Sequence, residues 1–426
     1  MSITDRLLIL KPASHEGSRM SEKRTSVRWT EVFSLALLVG CLLSAGCGDD
    51  SVEKPTPKTN EQLMADFHEL LDGAVAGDSA IRGAVMMVDA PLRDLTWKGA
   101  AGMAYPDSNF AMLSDDQFRT ASIGKMTCAV LAMKLVEAGD FALDDSIHRF
   151  LPDSIVEGLH EYHGHDYSDD ITIRQLMSHR SGLADYVEDG DENANGLPDF
   201  LELLIADPGT FWTPEETIEY TKTHLAPLFA PGTGFHYSDT NYQLLGLICQ
   251  QVSGKALNAL YRELLFDPLE MDHTYMEFYD DPLPSIPEHG LSHVYFEDYD
   301  YTDWTSASAD WAGGGLASTA EDLSKFIRAF AEGAIFQDAQ SKNEMLTWGV
   351  TGSAGVSYGL GVVRINLSAL GAFSAGEIYG HDGFPQSFMF YWPKQNVTIV
   401  GTLNQAVTEN IHYQQLVLGV IDLLQH

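Results

Sequence analysis

Ser122-Ile123-Gly124-Lys125 is the first group in the chain whose types and spacing could do covalent chemistry. Two residues three apart share one helix face. A serine at a helix N-terminus lies beside backbone N–H groups and the positive end of the helix dipole, a setting that stabilises an oxyanion. The lysine can withdraw or relay the serine proton if burial or a neighbouring charge pulls its pKa down from about 10.4. Two later segments add to the pair. Tyr237-Ser238-Asp239 follows a Pro231-Gly232 turn and precedes a helix. A tyrosine set between two cations ionises more easily and acts as a general base. Tyr379-Gly380-His381-Asp382-Gly383 is read as the approach to a strand. Gly383 lets a substrate come close to the strand edge, and the Phe384 N–H is a second oxyanion donor beside that of Ser122. Such a set performs acyl transfer: Ser122 as nucleophile, Lys125 and Tyr237 handling the proton, His381 and Asp239 orienting the substrate.

A separate segment carries metal chemistry. Residues 191–202 fit the calcium-loop pattern D-x-[DN]-x-[DN]-G-x5-E position by position. Oxygen ligands would come from Asp191, Asn193, Asn195, Asp199 and Glu202 and the carbonyl of Leu197, with Gly196 at the sharp turn. The expectation is a structural Ca2+ ion stiffening a loop near the cleft rim, and no cofactor for catalysis.

The elements that must position these groups follow from periodicity. Apolar residues at helical spacing run from Glu61 to Ala76, and a long helix opens at Ser122 and stops at Gly139. Short helices are expected over 173–179 and 241–252. Thr213-Pro214-Glu215-Glu216 is a helix start, with Thr as N-cap and Glu three residues on. Strands are expected at 83–88, 95–102, 358–365, 387–392 and 397–403, and a last helix over 409–424. Strands at both ends with helices between imply a sheet built from distant segments, terminal helices covering one sheet face, and an inserted helical region.

The three polar segments in this order resemble the serine β-lactamase and D,D-peptidase family, whose motif set is Ser-x-x-Lys, a polar triplet and Lys-Thr-Gly. The chain is similar to the class C β-lactamase-like and D-alanyl-D-alanine carboxypeptidase-like branch, whose second triplet begins with Tyr and whose third begins in some members with His. Ile171–Leu183, with Ser178-His179-Arg180-Ser181-Gly182-Leu183, resembles the family's "LLTHTSGL" segment. Trp311–Leu323 resembles its Gly-rich "GGLxSTAxDLxxF" segment, and Tyr358-Gly359-Leu360-Gly361 one of its strand starts. The resemblance covers about 63–424. It implies an α/β (α+β) β-lactamase/transpeptidase-like fold, its α/β part at about 63–120 and 300–426 and its helical part at about 121–299. It also implies a hydrolase working through a Ser122 acyl-enzyme on D-Ala-D-Ala-type or peptidoglycan-like peptides, amides, esters or β-lactams. Two positions depart. Asp239 stands where Asn is common and Asp382 where Thr is usual, and an ionised Asp only accepts hydrogen bonds. Both would add negative charge where a substrate carboxylate usually binds, favouring esters, amides or cationic substrates. A non-catalytic binding module on the same fold is the rival reading.

Composition sets the remaining bounds. With 426 residues, the chain fits one large or two intertwined domains. A net charge of −36 repels phosphates, which argues against nucleic acid as a partner. Lys23, Arg24 and Arg28 precede an apolar run from Val32 to Gly46 that is too short to span a membrane, the pattern of an export signal. Cys41 and Cys47 both follow small residues; Cys47 sits at the apolar-to-polar boundary and is the expected lipidation site. Residues 1–47 are thus read as an export and lipoprotein signal, with Met20 an alternative start, and 48–62 as a flexible tether. The expected location is a bacterial periplasm or cell surface, with membrane contact by lipid anchor only. Cys128 and Cys249 lie in apolar helical patterns, as buried thiols do.

Overall fold

The computed structural model describes residues 57–192, 194–287, 289–370, 372, 374–406 and 412–426. The expected export signal, Cys47 and most of the tether lie outside these residues. The last residues of the span read as tether are helical. Helix α1 spans Asn60–Gly77, because Thr59 accepts from the Gln62 N–H and the Gln62 side chain returns to the Thr59 N–H, closing a capping box.

A nine-stranded antiparallel sheet forms the frame. Its strands are β1 (Gly83–Ala90), β2 (Leu95–Tyr105), β3 (Phe110–Ala111), β4 (Gly349–Val350), β5 (Val356–Tyr358), β6 (Val363–Asn366), β7 (Glu377–Gly383), β8 (Ser387–Trp392) and β9 (Val397–Thr402). Their order is β4-β5-β6-β7-β8-β9-β1-β2-β3. The N-terminal β1 therefore pairs with the C-terminal β9, Val85 opposite Thr402 and Met87 opposite Val400.

Side-chain alternation divides the strands between two cores. Met86, Val88, Phe388, Phe390 and Ile399 face α1 and the C-terminal helix α8 (His412–Gln425), where Phe67, Leu71, Leu416 and Ile421 close that side. Val85, Met87, Met389 and Val400 face the helical region. There helix α2 (Ile123–Ala138) is buried along most of its length and ends at Gly139 in left-handed conformation. Helix α6 (Thr240–Ser253) packs beside it, and α7 (Ala320–Glu332) lies on the same sheet face. Between them run α3 (Ile173–Met177), α4 (Asp199–Ala206) and α5 (Pro214–His224), the last opened by the expected Thr213/Glu216 capping box. A satellite core of Tyr186, Phe200, Trp212 and Tyr220 anchors α4 and α5.

Two strand expectations change. The run 358–365 is two strands joined by a turn at Gly361, φ 74°. The segment 379–383 precedes strand β8, as expected, and is itself the end of a strand, β7, that was not expected. Cys128 and Cys249 are both buried and free. Burial pushes the Cys128 thiol up to about 12. Among the described residues no helix is long and apolar enough to cross a membrane.

Candidate active site

Ser122 stands at the N-cap of α2 but its hydroxyl makes no cap bond. The preceding residue, Ala121, holds φ 44°, a left-handed conformation rare for a residue with a Cβ. This turn leaves Ser122 partly exposed while Lys125, one helical turn on, is fully buried. Lys125 Nζ donates to Ser122 Oγ at 2.9 Å and to the Gly313 carbonyl at 3.2 Å. It also pairs with the Asp239 carboxylate. Tyr237 faces the Ser122 hydroxyl, which favours its ionised form, and its ring lies with its centroid 4.9 Å from Lys125 Nζ. The structure thus brings Ser122, Lys125, Tyr237 and Asp239 together.

Three details differ from expectation. Tyr237 does not sit between two cations: Lys125 Nζ lies 4.9 Å from its ring, and its other near neighbour is the His179 ring at 4.3 Å, whose protonation burial disfavours. Burial, then the Asp239 charge, raises its phenol well above the ordinary value. The Asp239 carboxylate, expected to orient a substrate, is the ion-pair partner of Lys125. His381, expected to orient a substrate as well, has both ring nitrogens engaged within the protein. It is buried, its Nε2 held by the Tyr358 hydroxyl at 3.0 Å and its Nδ1 by the Asp382 carbonyl at 2.7 Å. Burial pulls this imidazole down to about 3. Asp382, next along β7, points to the opposite sheet face, where its carboxylate accepts from the Tyr413 hydroxyl of α8 at 2.9 Å. The charge expected from Asp382 is therefore directed away from Ser122, a consequence of the segment being strand.

Glycines allow the close approaches. A Cβ on Gly383 would lie 2.4 Å from the Thr120 carbonyl and 3.1 Å from Ala121 Cβ, so the end of β7 and the 383–384 peptide press against the turn that carries Ser122. Ser387 Oγ fastens the same turn by donating to the Thr120 carbonyl at 2.7 Å. Phe384 stacks on Phe296, with centroids 5.6 Å apart, so part of the aromatic and acidic 295–304 segment borders this edge of the site. We expect Gly383→Ala to lower kcat by about 100-fold through displacement of the 383–384 peptide, with the chain still folded; steady-state kinetics with a circular-dichroism melt checks both. Gly314 is equally confined, its Cβ position 2.4 Å from the Ala121 carbonyl carbon.

Four groups escaped the sequence reading. Asp310 and Glu188 approach from separate loops, and burial pushes both carboxyls up to about 7 against the pull of Lys125. His179 and Tyr358 lie behind Tyr237. The last two stood inside quoted motifs without a role; no local pattern marks the first two.

The expected calcium loop closes on itself. Asp191 accepts from the Asn195 and Gly196 N–H groups, both at 3.0 Å, and Asp199 accepts from the Glu192 N–H. Asn195 turns its amide nitrogen, not its oxygen, toward Glu202, and its oxygen takes the Leu197 N–H at 2.8 Å. Asn193 lies outside the described residues. Among those described, no group of three or more His, Cys, Asp or Glu side chains could hold a metal. The carboxylates serve as turn caps, and the calcium expectation is not supported.

Comparison with known proteins agrees with this geometry. The chain is 28% identical over 208 residues to penicillin-binding protein 4 of Amycolatopsis lactamdurans, covering 48% of this chain and 47% of that protein. It is 30% identical over 206 residues to esterase EstB of Burkholderia gladioli, covering 46% and 48%. The matches thus span about half the length of these relatives. A D-stereospecific amidohydrolase from Streptomyces sp. superposes with a TM-score of 0.68 at 26% identity, over 83% of this chain and 97% of that one. The D-amino acid amidase of Ochrobactrum anthropi SV3 shares the fold, with a TM-score of 0.71 at 23% identity over 85% and 99%. The family model described as Beta-lactamase matches residues 62–417, a span that holds Ser122, Lys125, Tyr237 and the end of β7. With the serine–lysine pair on α2, the tyrosine against it and the sheet edge beside both, the chain belongs to the β-lactamase family.

Proposed function

We propose that the protein is an exported serine hydrolase that cleaves amides or esters of small substrates through an acyl-enzyme on Ser122. The observation that carries this reading is the convergence on one partly exposed hydroxyl, Ser122, of the buried Lys125 ammonium, which donates to it at 2.9 Å, and of Tyr237, whose ring lies 4.9 Å from that ammonium. In this mechanism Ser122 Oγ attacks the carbonyl carbon and the C–O bond forms. The serine proton passes to Tyr237 Oη while Tyr237 gives its own proton to the leaving nitrogen or oxygen. Tyr237 is neutral before and after, in keeping with a phenol raised by burial. The Lys125 ammonium, held by Asp239, steadies the negative charge that grows on Oγ. The N–H groups of Ser122 and Phe384 receive the carbonyl oxygen. Water then enters where the leaving group stood, gives one proton to Tyr237 as Tyr237 returns one to Ser122, and releases the acid.

The balance of charge supports neutral or cationic substrates over anionic ones. Asp239 pairs with the Lys125 ammonium, and Asp310 and Glu188, their carboxyls raised to about 7 by burial, lie within its electrostatic reach, so no positive charge is left over for a substrate carboxylate. An amino-acid amide with a free amine and a neutral ester are expected to turn over faster than a carboxylate-bearing β-lactam, as read by kcat/KM on the purified chain without its leader. Faster β-lactam turnover would reverse this assignment and make the protein a β-lactamase. Export and lipid attachment are part of the proposal and rest on the basic flank, the apolar run and Cys47. Palmitate labelling in a bacterial host, present in the full chain and lost in Cys47→Ser, is the expected result; retention of label would move the anchor to Cys41.

A further inference from the structure

Behind Tyr237 lies a buried row of three side chains that the mechanism leaves unused. His179, Tyr358 and His381 are 0%, 2% and 1% exposed. His179 Nδ1 receives the backbone N–H of Ser238 at 3.1 Å and the amide of Asn241 at 3.1 Å. A backbone N–H can only donate, so Nδ1 carries no proton and Nε2 does. His179 Nε2–H then donates to the Tyr358 hydroxyl at 3.2 Å. At the far end His381 Nδ1 meets the Asp382 carbonyl at 2.7 Å, and a carbonyl can only accept. His381 is therefore protonated on Nδ1 and bare on Nε2, where the Tyr358 hydroxyl donates at 3.0 Å. One direction of donation runs through the row, from the Ser238 N–H to the Asp382 carbonyl. Burial disfavours a second proton on either imidazole.

The two ends of this row are the backbones that carry the chemistry. Ser238 lies between Tyr237 and Asp239; Asp382 precedes Gly383 and Phe384. His179 grips its end twice more: its carbonyl accepts from the His236 N–H at 3.0 Å, and its ring lies 4.3 Å from that of Tyr237. It does so from a left-handed backbone, φ 55°.

We propose that His179 and Tyr358 are positioning residues which, through His381, hold the Tyr237–Asp239 segment and the 383–384 peptide at one fixed spacing across Ser122. The row acts as a spacer between the proton relay and the oxyanion site, and it rests on the reading that Ser122 and Tyr237 carry the acyl transfer. Removing the Tyr358 hydroxyl breaks both central bonds without emptying the space of the ring. Tyr358→Phe is expected to lower kcat by ~10- to 100-fold while KM stays within about two-fold, since alignment in the transition state and not ground-state binding is lost. His179→Gln, which keeps one acceptor and one donor on a single side chain, is expected to retain more activity than His179→Leu.

A second readout needs no variant to be active. Nitrogen-15 spectra of histidine-labelled wild-type protein at neutral pH are expected to show His179 as the Nε2–H form and His381 as the Nδ1–H form. A folded Tyr358→Phe with wild-type kcat overturns the proposal, as does a wild-type spectrum with both rings in one tautomer or with His381 charged. If Tyr358→Phe does not fold, the spectrum and the His179 pair still decide. Failure of wild-type protein to acylate Ser122 at all would refute the hydrolase reading instead, a result the tautomer spectrum does not mimic.

Discussion

Ser122→Ala is expected to abolish covalent labelling by a fluorophosphonate or activated-ester probe and to lower kcat by roughly 10⁶, the scale seen when a hydrolase loses its nucleophile. The substitution removes one oxygen from a partly exposed position at the start of α2, and the folded structure does not depend on it as a cap. The thermal midpoint should therefore stay near that of the wild type while chemistry stops. Labelling that survives in the folded variant would place the nucleophile elsewhere and return the chain to a binding-module role.

Lys125→Met is the second large effect, and it is expected in two quantities at once. Activity should fall by about 10³–10⁴, since the group that contacts Ser122 Oγ at 2.9 Å is gone. Stability should fall by about 3–5 kcal/mol, because Met fills the space of the fully buried lysine but leaves the Asp239 carboxylate, 8% exposed, without its cation. Adding Asp239→Asn removes that orphaned charge. The double variant should recover much of the stability, read by urea denaturation, and none of the activity. Recovery of both would show that Lys125 acts only as a structural counter-ion.

Features that depend on a few neighbouring residues were readable before any fold was known. The Ser122–Lys125 pair needs only one helical turn, and the Thr213–Glu216 capping box only four residues. The 379–383 segment precedes a strand as expected, but its own strand character was hidden, because two glycines, a histidine and an aspartate conceal a strand that is buried by its neighbours β6 and β8 rather than by its own composition. With that strand hidden, so was the face to which Asp382 points. Asp310 and Glu188 have no local signature; only the packing of distant loops brings them to Lys125. The 191–202 segment matches a calcium pattern by letter, yet a pattern of oxygens does not distinguish ligands from caps, and here the backbone N–H groups take them. Fold class was legible because terminal strands and central helices leave few ways to build one sheet.

The pairing of β1 with β9 sets the order in which this protein can come into being. Val85 meets Thr402 in the interior of the sheet, so this hydrogen-bonded ladder waits for nearly the whole chain to be synthesised. The strand β7 that presses Gly383 against the Ser122 turn belongs to the same late C-terminal block. A nascent chain that has emerged only through α6 holds Ser122, Lys125, Tyr237 and Asp239 but neither the sheet edge nor the Gly313 carbonyl that grips the lysine. On the proposed mechanism, reactivity at Ser122 would arise only after synthesis is nearly complete, and a chain threaded unfolded through a membrane would carry a dormant nucleophile until its last strands arrive.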